Sequence, residues 1–181
     1  MKRVVVTGIG IVAPGGVGKE AYWGSILDGR SFSRRDPDIE ALGLGSKVLC
    51  RADDFRLEDH FSGREHQEML AQDRFVQMGV AAGKMAIEEA GLGSGAPLPE
   101  DAGVIFSSTA GGYRMASELF ERLTDNGKNT ASYKEVDERF YNAATYSYPG
   151  TLLMRRYGFQ GVTTALSTGC TAGLDALGLC F

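Results

Sequence analysis

Apolar residues along the chain fall into short β-branched runs and longer stretches with helical spacing. The run Val4-Val5-Val6 within residues 3–11 predicts a strand that is buried on both faces. Residues 19–27 predict a short helix, and from Met69 to Ala90 the spacing of the apolar side chains predicts one long helix. Residues 31–66 are polar and irregular, so we expect them to cover a surface rather than to build the core.

The second half of the chain repeats this alternation and leads to a turn that contains a cysteine. Residues 102–106 predict another buried strand, which runs into the Ser/Thr/Gly-rich turn 107–112. A helix is predicted over 142–157, and residues 161–167 are enriched in β-branched side chains, which is typical of a strand. Cys170 follows directly. The order of elements indicates an α/β fold with a mostly parallel or mixed sheet covered by helices.

Composition and charge limit the classes of protein that the chain can belong to. Its 181 residues are 43% hydrophobic and 23% charged, as expected for one soluble globular domain. The net charge of −4 argues against nucleic acid as the main partner, because phosphate binding depends on clustered Lys and Arg. The sequence contains no apolar run of membrane-spanning length and opens without a signal-peptide pattern. We therefore expect no membrane partner and a cytoplasmic location.

Cysteine and histidine are too few to build a disulfide framework or a metal site. The chain has cysteines at positions 50, 170 and 180 and histidines at positions 60 and 66, and their spacing matches no common zinc motif. We expect no bound metal. Cys50 and Cys180 are interpreted as buried small apolar residues, and His60 and His66 as surface residues.

Cys170 has a different context, because it lies between a predicted strand and a predicted helix. Gly169 can adopt the tight turn that such a junction requires. The positive end of the helix dipole would favour the thiolate over the thiol, and the free backbone N–H groups could receive an oxyanion. These are the properties of a nucleophile that accepts an acyl group. The alternative is that Cys170 is a buried small apolar residue, as many intracellular cysteines are.

The sequence STGCTAGLDALG at 167–178 resembles the active-site elbow of the β-ketoacyl-(acyl carrier protein) synthases of the thiolase superfamily. It is most similar to that of the ketosynthase alpha subunits of type II polyketide synthases. The opening RVVVTGIGIVAPGG and the segments 73–77, 107–112 and 156–161 resemble this family as well. The resemblance implies that residues 1–181 are the N-terminal half of a layered α/β/α/β/α thiolase-like fold, ending just after the elbow.

The resemblance also implies an activity, which is decarboxylative Claisen condensation of malonyl units onto an acyl chain held on Cys170. The backbone N–H of Cys170 would form half of the oxyanion hole, and Thr109 and Ala110 would lie beside the acyl pocket. No cofactor would bind directly, since substrates arrive on the phosphopantetheine arm of an acyl carrier protein. A chain-length-factor-like subunit, or a second copy of the chain, would be the other partner.

The family's decarboxylation histidines have no counterpart at His60 or His66, which lie in the polar N-terminal stretch. Without such groups nothing visible in the sequence could stabilise the enolate that decarboxylation forms. We therefore expect these residues to be half of an active site, completed by the remaining C-terminal ketosynthase half.

Other functions remain open at this point. The chain could belong to a fatty-acid elongating synthase of the same fold, or to a non-catalytic subunit resembling a chain-length factor. Chain-length factors usually carry Gln in place of the cysteine, so Cys170 counts against the second alternative. A thiol hydrolase would need a histidine and a carboxylate near Cys170, and the sequence offers no convincing histidine.

Overall fold

The computed structural model describes residues 3–93, 95 and 97–181. The helices are α1 (Lys19–Leu27), α2 (Pro37–Ala41), α3 (Gly63–Leu70), α4 (Arg74–Glu89), α5 (Tyr113–Thr124), α6 (Glu138–Ala144), α7 (Tyr148–Tyr157) and α8 (Ala172–Leu179). The strands are β1 (Val12–Ala13), β2 (Gly16–Val17), β3 (Arg34–Arg35), β4 (Val48–Leu49), β5 (Val104–Ser107) and β6 (Thr163–Leu166). Short 3₁₀ turns occur at Leu57–Asp59, Tyr133–Glu135 and Gly169–Thr171.

The parallel pair of β5 and β6 positions the part of the molecule that carries Cys170. Val104 lies opposite Thr163, and Ser107 lies opposite Leu166, so the two strands end at the same level. Helices α7 and α8 pack against this pair. The other strands form two antiparallel pairs, β1 with β2 and β3 with β4. The fold is therefore α/β with mixed strand pairing, as the sequence predicts.

The core lies between α4, α7 and the segment that precedes α3. Glycines on α4 allow the close approach of α7, because a Cβ atom at Gly83 would lie 2.4 Å from the Leu153 side chain. Helix α1 has the predicted bounds, and the small residues of α4 pack closely as expected. Within the described residues, no helix combines the length and the apolar composition that a membrane crossing requires.

The structure corrects the prediction that residues 31–66 only cover a surface. Phe55, Leu57 and Phe61 are buried and belong to the main core, together with Val76 and Val80 of α4. The stretch is polar on average, so composition hides the few apolar side chains that anchor it. Burial of each Phe or Leu side chain contributes about 1.5–3 kcal/mol, which favours the packing of this segment on the core.

The predicted strand at residues 3–11 is also wrong. These residues form no strand, and Val4, Val5 and Val6 are exposed. The segment packs on α4 instead: a Cβ atom at Gly10 would lie 1.8 Å from the carbonyl oxygen of Ala82. A β-branched run becomes a strand only with a hydrogen-bonded neighbour, and no strand among the described residues pairs with it.

Each of the two long predicted helices is divided in the structure. The helix predicted over residues 69–90 is interrupted after Leu70, and α4 begins at Arg74 with Asp73 as its N-cap residue. The helix predicted over 142–157 is interrupted at Thr145, and α7 begins at Tyr148, just before Pro149. The helices α4 and α7 each begin at a residue pattern that favours helix initiation. In α4 it is a carboxylate N-cap, and in α7 it is a proline in the first turn.

Candidate active site

The candidate site lies where β5 and β6 end, because parallel strands bring their following loops together. The backbone N–H of Ser108 donates to the carbonyl oxygen of Leu166 at 3.1 Å, which extends the pairing beyond the strands. One residue later, Thr109 Oγ1 donates to the carbonyl oxygen of Gly169 at 3.1 Å. The turn after β5 is therefore connected directly to the residue before Cys170.

Cys170 has the predicted position between a strand and a helix. Gly169 has a φ of +73°, a conformation that glycine adopts at little cost, and residues Gly169–Thr171 form a 3₁₀ turn that leads into α8. The Cys170 thiol is exposed, which argues against the alternative that it is a buried apolar residue. Its backbone N–H lies at the N-terminal end of the helical turn that leads into α8, where N–H groups lack an intrahelical acceptor and are available to a ligand oxygen.

Three polar side chains around the elbow were not singled out by sequence reasoning. Asp175 Oδ2 accepts hydrogen bonds from the hydroxyl groups of both Thr168 and Thr171, the second at 3.0 Å. Thr171 is the N-cap residue of α8 and Asp175 lies four residues later, a helical spacing that could have indicated the contact. The two threonines lie on either side of Cys170, so one carboxylate oxygen connects both flanks of the elbow.

A buried carboxylate holds the C-terminal end of the turn after β5, where α5 begins. Asp73 Oδ1 accepts from the backbone N–H of Phe75 at 2.9 Å, and its Oδ2 accepts from that of Met115 at 2.8 Å. The same side chain therefore caps α4 and the first turn of α5. Thr109 and Ala110, which precede α5, are both exposed. The residues near Cys170 thus line an open surface rather than an enclosed pocket.

The two histidines lie away from the elbow and are not the surface residues that we expected. Both are half-buried, and the ring of His60 stacks on Phe55 with their centroids 5.2 Å apart. Burial is the main cause that lowers the pKa of His60. Among the described residues, the hydrogen bonds and ring contacts of the histidines do not include Cys170.

Cys50 and Cys180 are exposed, so their interpretation as buried residues is wrong. Cys50 follows the edge pair of β3 and β4, where its sulfur lies 3.3 Å from Ser33 Oγ. Cys180 follows the last turn of α8, beyond the packed part of that helix. Among the described residues, no group of three or more His, Cys, Asp or Glu side chains is arranged to hold a metal ion.

An α/β chain with an exposed thiol at a strand-to-helix turn belongs to the class of proteins with a nucleophile elbow. The family model of the β-ketoacyl synthase N-terminal domain matches residues 1–181. The chain therefore belongs to the β-ketoacyl synthase family, as its elbow sequence suggests.

Curated relatives and solved structures agree with this membership. The chain is 29% identical over 181 residues to a polyketide β-ketoacyl synthase 1 of Streptomyces cyaneus, covering 99% of this chain and 42% of the relative. It is 31% identical to the actinorhodin β-ketoacyl synthase 1 of Streptomyces coelicolor, covering 98% and 38%. It is 32% identical to the granaticin β-ketoacyl synthase 2 of Streptomyces violaceoruber, covering 98% and 41%. The chain thus spans about two fifths of the length of these relatives.

The fold is that of the thiolase-like ketosynthases. A β-ketoacyl synthase from Burkholderia phymatum superposes with a TM-score of 0.80 at 20% identity, over 99% of this chain and 42% of that one. The ketosynthase of a type II polyketide synthase, solved in complex with its acyl-carrier protein, superposes with a TM-score of 0.78 at 26% identity, over 97% and 40%. The predicted fold class is therefore confirmed.

Proposed function

We propose that the protein is the condensing subunit of a type II polyketide synthase. It would join malonyl units, by decarboxylative Claisen condensation, to an acyl chain held as a thioester on Cys170. The observation that carries this proposal is the exposed Cys170 thiol at the start of α8, in a member of the β-ketoacyl synthase family. An accessible thiol at a helix N-terminus suits attack on a thioester carbonyl.

The first half-reaction needs only groups that this chain contains. Attack of the Cys170 sulfur on the acyl thioester would place a negative charge on the carbonyl oxygen, and the Cys170 N–H could donate to it. Collapse of that intermediate releases the thiol of the carrier arm and leaves the acyl group on Cys170. Thr109 and Ala110 would lie along the acyl chain, where their small side chains leave room.

The second half-reaction needs groups that these residues do not supply. Loss of CO₂ from a malonyl thioester leaves a carbanion that must be stabilised, and neither histidine lies at the elbow. Residues 1–181 would therefore act as an N-terminal half-domain that the remaining C-terminal half of a ketosynthase completes. Exposed apolar side chains support such an interface, among them Val6 at 74% and Leu174 at 73% exposure.

The partners are proposed from the same relationship. One solved ketosynthase similar to this chain is bound to its acyl-carrier protein, and another is a ketosynthase/chain length factor. An acyl carrier protein would deliver substrates on its phosphopantetheine arm, so no cofactor would bind directly. A chain-length-factor-like subunit would form a heterodimer with this protein, or a second copy would take its place. A cytoplasmic location remains a prediction from the sequence.

A non-catalytic, chain-length-factor-like subunit is the alternative that the comparisons leave open. The chain is 31% identical to a β-ketoacyl synthase 1 and 32% identical to a β-ketoacyl synthase 2. Overall sequence identity therefore does not show which of these two types of subunit the chain represents. Cys170 does favour a catalytic role, since a scaffold has no need of an exposed thiol at this turn. A fatty-acid elongating synthase would share the same site, and only its carrier and products would differ.

Replacement of the thiol tests the proposal. In the complete protein, with its partner subunit, we expect Cys170→Ala to abolish both acyl loading and condensation, because the nucleophile is lost. Intact-mass spectrometry reads the loading directly, and product analysis after incubation with malonyl-carrier protein reads the condensation. Cys180→Ala is the matched control, since it removes another exposed thiol and should leave both reactions unchanged.

Two results of this experiment would redirect the proposal. Condensation that survives in Cys170→Ala would identify the protein as a scaffold whose partner carries the nucleophile. The fatty-acid alternative would be supported if the unmodified protein were fully active without a partner subunit, with the carrier protein alone, and if it formed the products of fatty-acid elongation.

A further inference from the structure

One carboxylate oxygen connects the two flanks of the Cys170 elbow. Asp175 lies in the first turns of α8, and its Oδ2 atom accepts from the hydroxyl group of Thr168 and, at 3.0 Å, from that of Thr171. Thr171 Oγ1 also lies 3.3 Å from the carbonyl oxygen of Thr168. The carboxylate therefore bridges the two threonines on either side of Gly169 and Cys170.

The elbow has little packing of its own at Gly169. Gly169 has no side chain, and a Cβ atom at its position would meet nothing within 4 Å. Glycine has the largest conformational freedom of any residue, and on its own it would leave the Cys170 sulfur and N–H in many orientations. On the other side, Thr109 Oγ1 donates to the carbonyl oxygen of Gly169. Asp175 supplies the restraint from the helix side.

The contacts of Asp175 indicate a structural role at the elbow. An acidic side chain in the first turn of a helix is favoured by the helix dipole, which suits the position of Asp175 in α8. The contacts that Asp175 does make are to two hydroxyl groups through a single oxygen.

We propose that Asp175 is a positioning residue, which holds Thr168 and Thr171 so that the Cys170 sulfur and its backbone N–H face the same acyl carbonyl. The inference rests on the proposed function only in taking Cys170 as the acyl-accepting thiol. Its consequence is specific: acyl transfer uses both the sulfur and the N–H, whereas alkylation by a small reagent uses the sulfur alone. Loss of the restraint should therefore slow acyl transfer more than alkylation.

The test compares Asp175→Asn and Asp175→Ala in the complete protein. The amide oxygen of Asn can accept from both threonines, as Oδ2 does, so Asp175→Asn keeps the restraint and removes only the charge. We expect Asp175→Ala to slow acyl loading of Cys170 by about tenfold or more, and Asp175→Asn to remain within about threefold of the unmodified protein. Alkylation of Cys170 by iodoacetamide should change by less than about threefold in both variants.

The other cysteines act as internal references in the same sample. Cys180 caps the C-terminal end of α8 and Cys50 lies outside that helix, and both are exposed. Mass spectrometry of the labelled peptides reports the three sites separately. Unchanged labelling of Cys180 and an unchanged far-ultraviolet circular dichroism spectrum are the expected results for Asp175→Ala, and the spectrum would show that the helices remain folded.

Several outcomes would overturn the inference. If Asp175→Asn loads as slowly as Asp175→Ala, the charge matters and not the restraint. If loading and alkylation of Cys170 fall by the same factor, the effect is on the thiol alone. If the helical signal falls in Asp175→Ala, the effect is on helix stability. Unchanged loading in both variants would remove any role for Asp175. If the unmodified protein is not acylated although iodoacetamide labels Cys170, it is the proposed function that fails.

Discussion

Two glycines of this chain serve different purposes, which the sequence alone does not distinguish. Gly169 has a positive φ of +73° in open space, so its role is conformational. Gly10 instead lies against α4, where a Cβ atom would be 1.8 Å from the carbonyl oxygen of Ala82. Its role is to let the N-terminal segment approach the helix backbone.

Substitution of Gly10 tests this packing. We expect Gly10→Ala to destabilise the protein by about 1–3 kcal/mol, because the added methyl group must displace either the segment or α4. Gly24→Ala is the matched control. Gly24 lies inside α1 with nothing within 4 Å of its Cβ position, so alanine there should stabilise by about 0.5–1 kcal/mol. Urea-unfolding midpoints give both values, and a neutral Gly10→Ala would contradict the packing of residues 3–11.

At the scale of elements, the start of a helix is decided by the contacts of its cap. Asp73 is buried and caps α4 through Phe75, but it also accepts from Met115 in the first turn of α5. One side chain therefore fixes the angle between two helices that are far apart in the sequence. Asp137 caps only α6, through the backbone N–H of Arg139.

Loss of the Asp73 side chain should cost more than loss of an ordinary cap. We expect Asp73→Ala to destabilise by about 2–4 kcal/mol, since both helices lose a cap and two partly buried N–H groups lose their acceptor. Asp137→Ala serves as the single-cap comparison and should have the smaller effect. Thermal unfolding of the two variants measures the difference, and equal losses would show that the contact with Met115 contributes nothing.

The molecule as a whole exposes more apolar surface than a self-sufficient domain does. Many of the exposed apolar side chains lie in three areas, which are the segment 3–11, the outer face of α1, and α8 with the residues that follow it. They include Val6, Trp23 at 58% exposure, Leu174 and Phe181 at 85% exposure. Apolar areas of this kind are usually covered by another part of a protein or by a partner.

This surface predicts the behaviour of the 181-residue chain in isolation. We expect it to associate as its concentration rises, because association buries the three apolar areas. Sedimentation velocity over a range of concentrations measures the effect, and emission from Trp23 should shift to shorter wavelength in parallel if its face takes part. A monodisperse monomer at high concentration would show that these side chains are tolerated in water.

Local sequence determined the elements that depend on local chemistry. The bounds of α1 follow from helical spacing, and the strand β6, the turn at Gly169 and the helix after Cys170 follow from β-branched residues and a glycine. Cys170 could be singled out as a nucleophile because these signals are adjacent in the chain. Its elbow sequence also indicated the family.

Only the tertiary structure decided the features that join distant residues. The pairing of β5 with β6 places Thr109 on Gly169, and the burial of Phe55 and Phe61 makes part of a polar stretch into core. The run at Val4–Val6 failed as a strand prediction because a strand requires a hydrogen-bonded neighbour from elsewhere in the chain. Propensity acts on neighbours in sequence, whereas pairing and burial depend on residues that meet only after folding.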